Sequence, residues 1–99
     1  MELKELLEKI AEKYLEIDKK SGDLFLLAVL MEEVGELAEA VRKGDIQSIE
    51  EELTDVCFIT FSIANYFSLG EKLEENIIRK YIRNDPSGRW DLRSVESGN

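Results

Sequence analysis

The amino-acid sequence predicts an all-α protein, a bundle of four to five helices. Apolar residues recur at spacings of three and four along four segments, and Gly or Pro turn signals separate these segments. No segment alternates apolar and polar residues with a period of two, as a half-buried strand would. The 99 residues suffice for one domain with a thin hydrophobic core.

The first two helices are predicted from their apolar spacing and from the residues that end them. One runs from Leu3 to a Ser-Gly-Asp turn at residues 21–23, and the next runs from residue 23 or 24 to Lys43, where Gly44 ends it. The main apolar stripe of the second helix is expected to be Leu26, Leu27, Leu30, Val34, Leu37 and Val41.

The third predicted helix begins after Gly44, with Asp45 or Ser48 as its N-cap, and continues to about Ser68. It is apolar around most of its circumference, which is more than one neighbouring helix can cover. We therefore expect the chain to form a homodimer or a homotetramer. Cys57 is the only cysteine, and its apolar neighbours predict a thiol in the core.

The fourth helix is predicted from about Glu71 to Asn84, because the Asp-Pro-Ser-Gly run at residues 85–88 stops it. We assign residues 1–93 to a single helical domain and residues 94–99 to a polar C-terminal tail. Trp90 is expected to anchor the end of the chain against the bundle.

The composition excludes several classes of function. There is no histidine, which rules out Ser-His and Cys-His nucleophile pairs and histidine-ligated zinc. The formal charge of −9, with scattered basic residues, argues against binding a nucleic acid polymer. No apolar run approaches the roughly 20 residues that cross a membrane, and the N-terminus lacks the pattern of a secretory signal. A cytoplasmic location without a membrane partner is expected.

Two pairs of carboxylates lie against the apolar pattern. At about 100° per residue, Glu52 falls inside the apolar arc of the third helix, and Asp55 lies three positions further on beside it. On the second helix, Glu33 and Glu36 share a stripe that also contains small apolar residues. The short connection at Gly44 should make the two helices antiparallel, so that the two pairs face each other.

Such a cluster needs protons or cations. Two carboxylates about 4 Å apart repel by about 4 kcal/mol at an effective dielectric of about 20, so four together would weaken the bundle unless they are neutralised. Ligation by oxygen alone suits Mg²⁺ or Mn²⁺, and Mg²⁺ favours sites that phosphate groups complete. The pattern therefore indicates a phosphate-bearing substrate.

The run Glu32-Glu33-Val34-Gly35-Glu36, followed after 15 residues by Glu52-Leu53-Thr54-Asp55, resembles the EExxE…ExxD signature of MazG-like enzymes in the all-α nucleotide pyrophosphohydrolase superfamily. The resemblance spans residues 24–90 and implies a MazG-like bundle. It implies that Glu33, Glu36, Glu52 and Asp55 are catalytic metal ligands, with Glu32 as an outer member or a water-positioning base. It also implies that Lys80 and Asn84 contact phosphates.

The implied activity is Mg²⁺-dependent hydrolysis of (deoxy)nucleoside triphosphates to the monophosphate and pyrophosphate, including house-cleaning of non-standard nucleotides. A phosphoribosyl-ATP pyrophosphohydrolase, or a relative selective for dUTP or dCTP, would use the same carboxylates. A rival from another class is a non-enzymatic helical module that oligomerises through its third helix. Metal-dependent release of pyrophosphate distinguishes the enzymes from this module.

Overall fold

The computed structural model of the chain describes residues 1–84. They form α1 (Leu3–Ser21), α2 (Asp23–Lys43), α3 (Ile46–Tyr66) and α4 (Gly70–Ile77), and α4 continues into a π-helical turn at Ile78–Ile82. Residues 1–84 contain no strand, which confirms the all-α prediction for this part of the chain. The predictions for Trp90, for a domain end at residue 93 and for a tail at residues 94–99 lie outside the described residues.

The turn between α2 and α3 explains why these helices are antiparallel. Gly44 adopts a left-handed conformation with φ of 69°, and its N–H donates to the Val41 carbonyl at 3.0 Å. The N–H of Asp45 reaches the Ala40 carbonyl at 3.3 Å, which completes a Schellman motif. The Asp45 side chain then accepts from the N–H of Ser48 and caps α3. One helix therefore ends and the next begins within two residues.

α3 is the central helix of the described chain. It packs most extensively against α2 and next against α1. The Asn65 amide donates to the Leu7 carbonyl at 3.0 Å, and the rings of Tyr14 and Phe58 meet edge to face with centroids 5.0 Å apart. These contacts hold α1 to α3 independently of α2. Within residues 1–84, no helix combines the length and the apolar character that crossing a bilayer requires.

The structure corrects the predicted apolar stripe of α2. Half of the predicted members turn inwards: Leu26, Leu30 and Leu37 are buried or half-buried, whereas Leu27, Val34 and Val41 are exposed. Ala40, which the prediction left out, is buried. The physical reason is that α2 is apolar on two faces, and a single neighbouring helix can cover only one of them.

One further prediction about local structure was wrong, and two were confirmed in part. Cys57 is exposed and lines an apolar groove between α1 and α3, because its side of α3 is not covered by another helix within residues 1–84. Of the two predicted N-caps of α3, Asp45 is confirmed, and Ser48 lies inside α3, where its hydroxyl donates to Asp45. The fourth helix is α-helical only to Ile77, after which the N–H of Arg83 donates to the Ile78 carbonyl five residues back.

Candidate metal centre

Three carboxylates converge between α2 and α3. Single carboxylate oxygens of Glu33, Glu36 and Glu52 all lie within 4.8 Å of one another. Glu33 and Glu36 are three residues apart and so occupy consecutive turns of one face of α2. Glu52 reaches them from α3 because the short turn makes the two helices antiparallel. The structure thus brings together three of the four residues that the resemblance assigns to metal.

Two of these carboxylates each hold one oxygen away from water. One oxygen of Glu33 and one oxygen of Glu52, each named Oε2, are buried and accept no hydrogen bond. Burial raises the pKa of Glu52 to about 7, with added contributions from Glu33 and Glu36. Burial also raises the pKa of Glu33, and the charges of Glu36 and Asp55 raise it further. Near neutral pH the cluster therefore retains part of its protons.

The fourth expected ligand, Asp55, stands beside this group. Its side chain is exposed, but its charge is close enough to raise the pKa of Glu33. Asp55 lies three residues after Glu52 and so occupies the next turn of the same face of α3. Glu32 is exposed on α2 and is not part of the three-carboxylate group.

The two cations nearest in sequence to Glu36 form ion pairs with Glu39 and not with the clustered carboxylates. Arg42 makes a two-point contact with Glu39, and Lys43 lies 3.5 Å from the same carboxylate. The Arg42 hydrogen bonds hold the pKa of Glu39 below its usual value. Glu39 is therefore a surface ion-pair partner, in contrast to the raised pKa values of the clustered glutamates.

A cleft opens from the cluster towards the α2–α3 turn. Its walls are Glu36, Glu39, Ala40, Lys43, Asp45, Ser48 and Glu52. Lys43 is a residue that the sequence reasoning missed, and it places an ammonium group in the same cleft as two clustered carboxylates. The signal was available, because Lys43 lies seven residues, or about two turns, after Glu36 and so shares its face of α2.

The structure does not bring the two expected phosphate-contacting residues to the cluster. Lys80 lies in the π-helical turn and Asn84 just after it, and both are exposed. This turn packs mainly against α4, and within residues 1–84 no ion pair joins Lys80 to a clustered carboxylate. π-Helical turns are rare and occur frequently at functional sites.

The donor set suits a hard divalent cation. It consists of carboxylate oxygens only, and oxygen ligands are those that Mg²⁺ and Mn²⁺ prefer. Two of the three residues also have one buried oxygen without a hydrogen-bond partner. The cluster lies between two antiparallel helices of a small domain that is all-helical over residues 1–84. The family profile described as the MazG nucleotide pyrophosphohydrolase domain matches residues 21–89, and the chain belongs to this family. The match contains every residue of the cluster. A search of curated proteins gives no match.

Proposed function

We propose that the chain is a metal-dependent nucleotide pyrophosphohydrolase that cleaves (deoxy)nucleoside triphosphates to the monophosphate and pyrophosphate, with a house-cleaning role towards non-standard nucleotides in the cytoplasm. Membership of the MazG family supports the reaction class. The observation that carries the proposal is that Glu33 and Glu52, each with one buried oxygen that has no hydrogen-bond partner, converge with Glu36. Buried polar atoms are normally hydrogen-bonded, so an unpartnered carboxylate pair is typical of a site that a cation completes.

In this proposal, Glu33, Glu36, Glu52 and Asp55 hold Mg²⁺, or Mn²⁺ in its place. Held there, the ion would supply charge neutralisation for the phosphate oxygens and would lower the pKa of a water molecule. The exposed carboxylate of Glu32 would be the outer base that accepts a proton from the attacking water.

Basic and amide side chains complete the proposed substrate site. Lys43 lines the cleft beside the cluster and contacts substrate phosphates, exchanging its ion pair with Glu39 for a phosphate oxygen. Lys80 and Asn84 reach the phosphates from the end of the fourth helix of the same chain or of a second copy. We also propose that the protein is a homodimer or homotetramer, because only a few side chains of residues 1–84 are fully buried.

The test is hydrolysis of a nucleotide panel with Mg²⁺, scored for both pyrophosphate and monophosphate. The panel includes dUTP, dCTP, phosphoribosyl-ATP and oxidised deoxynucleotides, which separates the enzymes that share these carboxylates. We expect at least one substrate to release pyrophosphate, and expect an excess of chelator to stop the reaction. Equal turnover in chelator contradicts the proposal, and a protein that turns over none of the panel favours the non-enzymatic module.

Variants of the cluster test the residue assignment. Glu36→Gln and Asp55→Asn should each lose most activity and keep the helical circular dichroism spectrum, because removing one charge from a repulsive cluster relieves the metal-free bundle. Glu51→Gln is the matched control, since Glu51 lies on the same helix next to Glu52 but outside the three-carboxylate group. Rates near that of the unaltered protein in both site variants contradict the assignment.

A further inference from the structure

The second apolar face of α2 has the spacing of a helix–helix seam. Alternating steps of three and four connect Leu24, Leu27, Met31, Val34, Ala38 and Val41, and we call these six residues the α2 seam. All six are exposed, with Leu24 and Met31 at 76% and 67%. The seam is about 26 Å long at about 1.5 Å per residue. Such spacing is the heptad pattern by which two helices pack side by side.

No charged residue occupies a position of the α2 seam. Between residues 24 and 41 the only charged residues are Glu32, Glu33, Glu36 and Glu39, and each lies outside the seam positions. Two small exposed residues, Ala28 and Gly35, border the seam on the side away from α3. Small bordering side chains let a second helix approach closely, because the distance between packed helices depends on the side chains at the contact. Soluble monomers rarely expose a continuous apolar surface of this length.

The seam is complementary to itself when two copies run antiparallel. A two-fold axis between Glu32 and Glu33 places Leu24 level with Val41 of the other copy, Leu27 level with Ala38, and Met31 level with Val34. Each residue of the α2 seam then lies level with another seam residue, and in each of these pairs a larger side chain meets a smaller one. A two-fold contact requires this property, since the same patch must serve both partners.

The charges at the two ends of α2 select the antiparallel arrangement. Asp23 lies in the first turn, whereas Arg42 and Lys43 lie in the last. Antiparallel pairing brings the acidic end of one helix level with the basic end of the other, and it also opposes the two helix dipoles favourably. Parallel pairing would place like charges together at both ends.

We infer that the α2 seam is the surface through which two copies of this chain pair, with their α2 helices antiparallel. The inference rests on the proposed homo-oligomer and names its surface, which the sequence reasoning had placed on the third helix. Residues 85–99 contain three large apolar side chains, Trp90, Leu92 and Val95, which are too few to cover the six seam positions. Glu33 and Glu36 are not seam positions, so the seam residues are distinct from the clustered carboxylates.

The first test measures molecular mass by light scattering at micromolar concentrations. For Met31→Glu we expect the mass of the unaltered assembly to halve, with an unchanged helical spectrum, because Met31 is exposed within its own chain. Phe25→Glu is the matched control, since Phe25 is an apolar residue of α2 that is 57% exposed but lies outside the seam. If Met31→Glu leaves the mass unchanged, or if Phe25→Glu halves it equally, the α2 seam is overturned as the interface, although the protein is still an oligomer. A constant mass of 11.4 kDa for the unaltered chain overturns both.

The second test measures orientation in a Cys57→Ser background, which removes the only native thiol. A mixture of Leu24→Cys and Val41→Cys chains should become cross-linked by a short thiol-reactive linker. Leu24→Cys alone should not, because antiparallel pairing separates the two copies of residue 24 by about 26 Å along the helix. Efficient cross-linking of Leu24→Cys alone indicates parallel helices and overturns the proposed arrangement.

Discussion

The raised pKa of Glu52 predicts how metal binding depends on pH. Burial, with Glu33 and Glu36 nearby, raises this pKa from 4.5 to about 7. A cation binds the ionised carboxylate, so the proton on Glu52 competes with the cation. In the metal-free protein about 90% of Glu52 is protonated at pH 6 and about 10% at pH 8. We expect the apparent affinity for Mn²⁺ to rise about fivefold from pH 6 to pH 7 and less than about twofold from pH 7 to pH 8.

Isothermal titration calorimetry with Mn²⁺ measures this effect. Titrations in two buffers of different ionisation enthalpy give the number of protons released per ion bound. From Glu52 we expect about 0.9 at pH 6, about 0.5 at pH 7 and about 0.1 at pH 8. Glu52→Gln should bind more weakly and lose this release, whereas Glu51→Gln should behave as the unaltered protein. Constant affinity without proton release between pH 6 and pH 8 would refute the reasoning.

Three further predictions concern stability. Without metal, Glu52 binds its proton more tightly in the folded than in the unfolded chain, so its contribution to stability is complete below pH 4.5 and is lost as the pH rises through about 7. The melting temperature of the unaltered protein, relative to that of Glu52→Gln, should therefore fall over this pH range. A rise would contradict the burial of Glu52. Gly44→Ala should cost about 1 kcal/mol in urea unfolding because φ is 69°, and Gly44→Asn should cost less since Asn tolerates this conformation. Asn65→Ala should cost about 1 kcal/mol by removing the hydrogen bond to the Leu7 carbonyl, whereas the exposed Asn76→Ala should cost little.

Much of the secondary structure was predictable because helix formation depends on neighbours along the chain. The bounds of α1 and α2 follow from apolar spacing and from the glycines that end them. The turn at Gly44 also predicted the antiparallel pairing of α2 and α3. The π-helical turn was not predictable, since residues 78–82 continue the same apolar spacing and only the hydrogen bonds distinguish the two helix types.

The candidate site, too, could be predicted only in part from the sequence. Glu52 was recognisable because a glutamate inside an apolar arc conflicts with the helical pattern. The sequence did not show which carboxylate oxygens are buried, because their burial depends on how closely Glu33 on α2 and Glu52 on α3 approach each other. Lys43 entered the site only when the cleft was visible, as a lysine near a helix end ordinarily has a sufficient explanation in the helix dipole.

The sequence by itself determined that α2 carries apolar residues at helical spacing and that Glu33 and Glu36 share a stripe with apolar residues. Only the tertiary structure decided which of these residues are buried: Leu26 and Ala40 lie in the core, and Leu27 and Val34 remain exposed. The physical reason is that helical periodicity is a local property, whereas burial requires a neighbour. That neighbour's position depends on the turn geometry and on the packing of the whole bundle.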